Sequence, residues 1–154
     1  MAGLCTRRKL LHASGITVAS MLVAGCSVLD AEESGLVLGD ISVRNGHADA
    51  HTVRVELERN DDVVHETTVD VDGGGGVELI EATWPATPAI YTLRYVISGP
   101  SESLDIHTRT LTGDDDQSNG HDCTVVAITM GSPEGSDPYV NVGTPDSLEG
   151  RCPE

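Results

Sequence analysis

Asp114-Asp115-Asp116-Gln117-Ser118-Asn119-Gly120-His121-Asp122-Cys123 gathers more chemically competent side chains than any other stretch of this 154-residue chain. Carboxylate and amide oxygens at alternating positions suit a hard divalent cation such as calcium. Aligned as a twelve-residue calcium loop from Asp115, the segment puts Gln117 and Asn119 at the next odd ligand positions and Gly120 at the sharp turn. The last position is then Val126, where a bidentate Glu is needed. A weak cation loop on Asp114, Asp116 and His121 is the sharpest chemistry on offer, and a solvated acidic connection is the plainer reading. His121, Cys123 and Met130 also supply ligand types of a copper electron-transfer site. The interval 124–129 holds neither the second histidine nor the turn such a site needs, so the copper reading falls away.

Elsewhere the chemistry thins out. There is no Gly-x-Ser-x-Gly elbow and no His-Glu-x-x-His pair. The glycine run 73–76 follows a strand pattern but opens no helix and lacks the Lys-Ser or Lys-Thr ending of a phosphate loop, so it reads as a flexible connection. His47 and His51 lie four apart between a turn and a strand start, a spacing that does not by itself put them on one face. His65 and His107 are single histidines in strand patterns and read as surface or hydrogen-bonded residues. The expectation is a protein without a catalytic set and without a cofactor beyond a weak divalent cation.

The elements that would position these residues begin after a leader. Arg7, Arg8 and Lys9 precede an apolar run, 10–24, that closes on small residues before Cys26. This is the layout of a secretory signal. As a helix the run would rise only about 22 Å, short of the roughly 20 residues a membrane span requires. Thr6-Arg7-Arg8-Lys9-Leu10-Leu11 resembles the twin-arginine export motif. Val23-Ala24-Gly25-Cys26 resembles a lipobox, which implies cleavage before Cys26 and lipid on its sulfur. Two acyl chains, at about 0.8 kcal/mol per buried CH₂, would hold a domain on a membrane where one holds it only marginally.

Removing residues 1–25 takes three of the nine cations and none of the 25 acids, so the formal charge moves from −16 to −19. No lysine is left, and the remaining cations are Arg44, Arg54, Arg59, Arg94, Arg109 and Arg151. Such a chain is repelled by nucleic acid and by anionic headgroups. Abundant Asp and Glu, no mature lysine and few large apolar residues together resemble proteins of salt-loving archaea. High salt shortens the Debye length to about 3 Å at 1 M and relieves the self-repulsion.

The periodicity beyond residue 35 is two. Val53, Val55 and Leu57 alternate with Arg54, Glu56 and Glu58, which predicts a half-buried strand over 51–59. Asn60-Asp61-Asp62 supplies a turn, and a second strand over 63–71 with Val63, Thr67, Val69 and Val71 on one side completes a hairpin. Further strands are expected at 36–44, 77–84, 89–98, 103–111, 122–130 and 139–142, separated by Gly, Pro and Asn-Gly punctuation. The segment 124–130 is apolar on both faces and is expected mid-sheet. These strands predict an all-β antiparallel sandwich of seven to eight strands.

Trp84-Pro85 followed by Tyr91, Leu93, Tyr95 and Ile97 resembles a late strand of immunoglobulin-like domains, with Tyr91 as a corner tyrosine. Asp40-Ile-Ser-Val-Arg-Asn45 leading into 51–55 is similar to the opening strands of such modules on archaeal surface proteins. Together with the leader, the chain resembles a haloarchaeal twin-arginine-exported lipoprotein carrying an immunoglobulin-like β-sandwich. Trp84 and the tyrosines are read as core packing.

With Cys5 in the leader and Cys26 lipidated, Cys123 and Cys152 remain as an even pair in an oxidising exterior. A disulfide closing about 30 residues would contribute on the order of 3 kcal/mol and pin the tail. A thiolate metal site is the competing use.

The expected organisation is a signal peptide over 1–25, a lipidated tether over 26–35, a sandwich over 36–143 and a pinned tail over 144–154. The expected function is a non-catalytic binding or structural module, lipid-anchored on the outer face of the cytoplasmic membrane. Its partner would be a surface protein or polymer and not nucleic acid, met through the loops 45–50 and 113–122. The alternative is a lipoprotein that captures a solute or metal with the 114–122 loop.

Overall fold

A computed structural model describes residues 35–99, 105–131 and 137–154. The expected leader with Arg7, Arg8 and Cys26, and the expected tether up to residue 34, lie outside the described residues. Eight strands are present: β1 (Leu38–Asn45), β2 (His51–Arg59), β3 (Asp62–Val71), β4 (Gly76–Ile80), β5 (Tyr91–Ser98), β6 (Ile106–Leu111), β7 (Thr124–Met130) and β8 (Tyr139–Gly143). They form two four-stranded sheets, ordered β4-β1-β7-β8 and β3-β2-β5-β6, packed as a sandwich. β7 and β8 complete the first sheet from the C-terminal side of the chain.

The period of two places the core where it was expected. Val53, Val55 and Leu57 of β2 and Tyr91, Leu93, Tyr95 and Ile97 of β5 are buried against Ile41, Val43, Val126 and Ile128 of the facing sheet. All described strand pairs are antiparallel except β1 with β7, which run parallel. A parallel pair needs a long crossover, and here the whole second sheet lies between the two strands in sequence.

The hairpin differs in one detail. Asn60 and Asp61 adopt φ of 49° and 70°, as a two-residue primed turn requires. Pairing then slips between Leu57 and Glu58, so that Leu57 faces His65 and Glu58 faces Val63. The bulge puts Val64 against the core and leaves Val63 56% exposed, not on the side of Thr67, Val69 and Val71. β4 ends at Ile80, four residues before the expected limit, and Trp84 sits in the following loop. Its ring is buried and its Nε1–H donates to the Leu38 carbonyl at 2.8 Å. The start of the 103–111 strand lies partly outside the described residues.

The sandwich has two ends. Leu36 bridges Ala89 where the chain enters, and strand directions bring residues 60–61, 81–90 and 112–123 to that near end. Residues 46–50, 72–75 and 131 lie at the far end.

Candidate functional site

The 113–122 loop begins as a 3₁₀ turn over Gly113–Asp115. Asp115 accepts from the Thr112 N–H at 3.1 Å and pairs with Arg109. Asp116 Oδ1 accepts from the Ser118 N–H at 2.9 Å and from the Thr124 hydroxyl at 2.8 Å. These bonds, the Ser118 amide first, hold the Asp116 carboxyl below its ordinary pKa. His121 Nε2 lies 3.2 Å from Asp146 Oδ2. Asp114, Asp116 and His121 are therefore not gathered about one point. Among the described residues no group of three or more His, Cys, Asp or Glu is arranged to hold a metal ion. The carboxylates at 115 and 116 instead close the loop on its own backbone and on Arg109.

Cys123 and Cys152 are joined by a disulfide, with Cα atoms 5.4 Å apart. Its pairing takes both thiols out of any metal-ligand role. The bond secures the tail across the outer face of the first sheet. Asp40, 3% exposed, organises this contact from the outward side of β1. Its Oδ1 accepts from the Ala82 N–H at 2.8 Å, and its Oδ2 from the Arg151 N–H at 2.9 Å. Its own N–H donates to the Arg151 carbonyl at 2.9 Å. Arg151 also bonds Glu81. A Cβ at Gly39 would come within 2.6 Å of Cys123 Sγ and 2.5 Å of the Arg151 carbonyl, so only glycine admits the tail this closely. Beside it, Asp40, Glu81, Trp84, Arg151 and Glu154 line a cleft of about 490 Å³. Asp40 and Arg151 escaped sequence reasoning, since nothing local marks an Asp in an alternating strand as buried.

Asn45, buried at the end of β1, organises the far end. Its Nδ2 donates to the carbonyls of Asp49 at 2.8 Å and Val71 at 3.2 Å, and its Oδ1 accepts from the His47 N–H at 3.0 Å. The glycine run is bonded to the same turn, Gly74 N–H to the His47 carbonyl at 2.6 Å and Gly75 N–H to the Asn45 carbonyl at 2.8 Å. It is thus a held turn, with Gly74 and Gly75 at φ of 72° and 96°, and not the flexible connection expected. His47 and His51 do come together, stacked at 4.8 Å, because the turn doubles back. The loops 45–50 and 113–122, both expected to be interaction surfaces, occupy opposite ends.

Tyr91 is fully buried at the start of β5, yet its hydroxyl bonds no backbone group, unlike a corner tyrosine. Burial raises its pKa, and the neighbouring Arg59 partly offsets that rise. Its role is packing, as is that of Tyr95, which stacks with His107 at 5.0 Å. Among the described residues no helix is long and apolar enough to cross a membrane. No protein-family model, curated protein or solved structure matches this chain.

Proposed function

We propose that the chain is a lipid-anchored, non-catalytic module of the cell surface, held on the outer face of the cytoplasmic membrane through Cys26. The reading rests on one observation, the passage from Arg7-Arg8 through an apolar run to Val23-Ala24-Gly25-Cys26. A disulfide-closed sandwich is in keeping with an oxidising exterior. At ~3.3–3.6 Å per residue, the chain from Cys26 to Gly35 could span at most about 30 Å. The domain would then stand close to the membrane with its near end inward and its far end, 46–50 and 72–75, presented outward.

The test is Cys26→Ser in a cell that processes lipobox leaders. Wild-type protein should fractionate with membranes at a mass raised by lipid, and the variant should appear in the medium or remain unprocessed. Membrane retention and mass unchanged by the substitution would overturn the proposal.

A further inference from the structure

Five of the six arginines that follow the leader donate hydrogen bonds within the fold, although Arg59, like Arg44, keeps its Nε buried without a partner. Arg54 donates to Glu66 at 2.8 Å and Arg94 to Glu56 at 3.0 Å; Arg109 pairs with Asp115, and Arg151 with Asp40 and Glu81. Arg59 donates to the Thr87 hydroxyl at 2.6 Å. The Arg44 guanidinium makes no hydrogen bond among the described residues. Its nearest carboxylate is Glu149 at 3.7 Å, itself 64% exposed, and its Nε is buried without a partner. In a chain with 25 acids, a guanidinium held only by one loose, exposed ion pair keeps donors open to a further acceptor.

The surroundings say what kind of acceptor. Strand register aligns Val77, Arg44, Thr129 and Tyr139 in one row across β4, β1, β7 and β8. The row lies on the outer face at the far end, beyond the reach of the Asp40 contact. Val77 and Tyr139 are 40% and 44% exposed, two of the few large apolar side chains on the surface. They flank a hollow of about 270 Å³ that Arg44 also lines. Its end wall is the crossing of Gly46 and Gly131, where Gly46 N–H donates to the Met130 carbonyl at 2.8 Å. A Cβ at Gly46 would meet the Gly131 carbonyl at 2.3 Å, so this wall is bare backbone. At Gly75, also on the rim, a Cβ would meet nothing within 4 Å, and glycine there leaves the mouth open.

An aromatic face, a hydroxyl and one forked cation in a hollow of this size match a single sugar ring that carries a carboxylate. The guanidinium fork binds carboxylate bidentately, and Tyr139 presents an apolar surface to ring hydrogens. We propose that this hollow is a binding subsite for an isolated uronate residue in an otherwise neutral glycan. One cation answers one carboxylate, and the −19 of the remaining chain disfavours a densely charged polymer. The proposal rests on the surface-module reading, which turns this end of the domain outward.

The experiment is an NMR titration of the full-length chain in detergent micelles with methyl glucuronide, methyl glucoside and acetate. The glucuronide should saturate in the millimolar range, with shifts confined to Arg44, Val77, Thr129 and Tyr139. The glucoside, lacking the carboxylate, and acetate, lacking the ring, should each bind about ten-fold more weakly or less. Arg44→Gln should abolish binding, Tyr139→Ala should weaken it about five-fold, and Arg54→Gln on the opposite sheet should leave it intact. Dispersed spectra establish that each variant is folded, and Arg44→Lys, which keeps the charge and loses the fork, replaces Arg44→Gln if that variant is not.

Equal binding of acetate would reduce the site to a simple anion contact and overturn the proposal. So would equal binding of the glucoside, full binding by Arg44→Gln, tighter binding of a peptide C-terminal carboxylate, or no saturable binding. Because purified protein is titrated, failure here leaves the anchoring proposal standing, and failure of the Cys26→Ser test leaves this one standing.

Discussion

Asp40 and Asp116 are both carboxylates at the near end, and their partners separate their roles. Asp40 holds donors 42 and 111 positions away in sequence. Replacing it with Ala leaves those amides without an acceptor in a dry site and should cost about 3 kcal/mol, read from denaturant unfolding. Asp116 is exposed and bonds only its own loop and Thr124, so Asp116→Asn should cost about 0.5–1 kcal/mol after allowance for solvent screening. Its folded pKa is depressed, so its contribution is present above the unfolded carboxylate pKa and disappears as pH falls through the lower folded value. Acid unfolding of Asp116→Asn should accordingly show a shallower loss below about pH 4 than wild type. The cysteine pair was legible because compartment and parity select it. Asp40 was not, because its burial is decided by a tail that returns from the other end of the chain.

At the scale of elements, β7 explains the tail. Val126, Ile128 and Met130 face the core, while Val125 and Ala127 are buried on the opposite side, where Gly150 passes so near that a Cβ would lie 3.0 Å from Val125 Cγ1. A strand apolar on both faces needs two covers, and the disulfide holds the second in place. The Cys123→Ala/Cys152→Ala variant should lose on the order of 3 kcal/mol and show faster hydrogen exchange at the outward positions of β1 and β7. Protection in β2 and β5, whose cover is the facing sheet, should fall only by the global amount. Ile128→Ala, by contrast, opens the central core and should cost about 2–5 kcal/mol. The alternation in β2 and β5 was plain in sequence because each has one wet face. The β3 bulge was not, since an extra residue has meaning only against the strand it pairs with.

Among the described residues the carboxylates far outnumber the cations that could pair with them, and most face water. Raising chloride salt from 0.1 M to 2 M should raise the thermal midpoint by about 5 °C or more, as self-repulsion is screened. A midpoint indifferent to salt would show that the negative charge serves solubility alone. The amino-acid sequence by itself determined the strand period, the all-β class and the cysteine pairing, because each follows from local alternation, local turn chemistry or composition. Only the tertiary structure decided that β1 and β7 lie parallel, that Asp114, Asp116 and His121 part company while His47 and His51 meet, and that Arg44, paired only with Glu149, lies beside Tyr139. Those are outcomes of register and of chain return over long separations, where side chains remote in sequence are brought to hydrogen-bonding distance or kept from it by the packing of the two sheets.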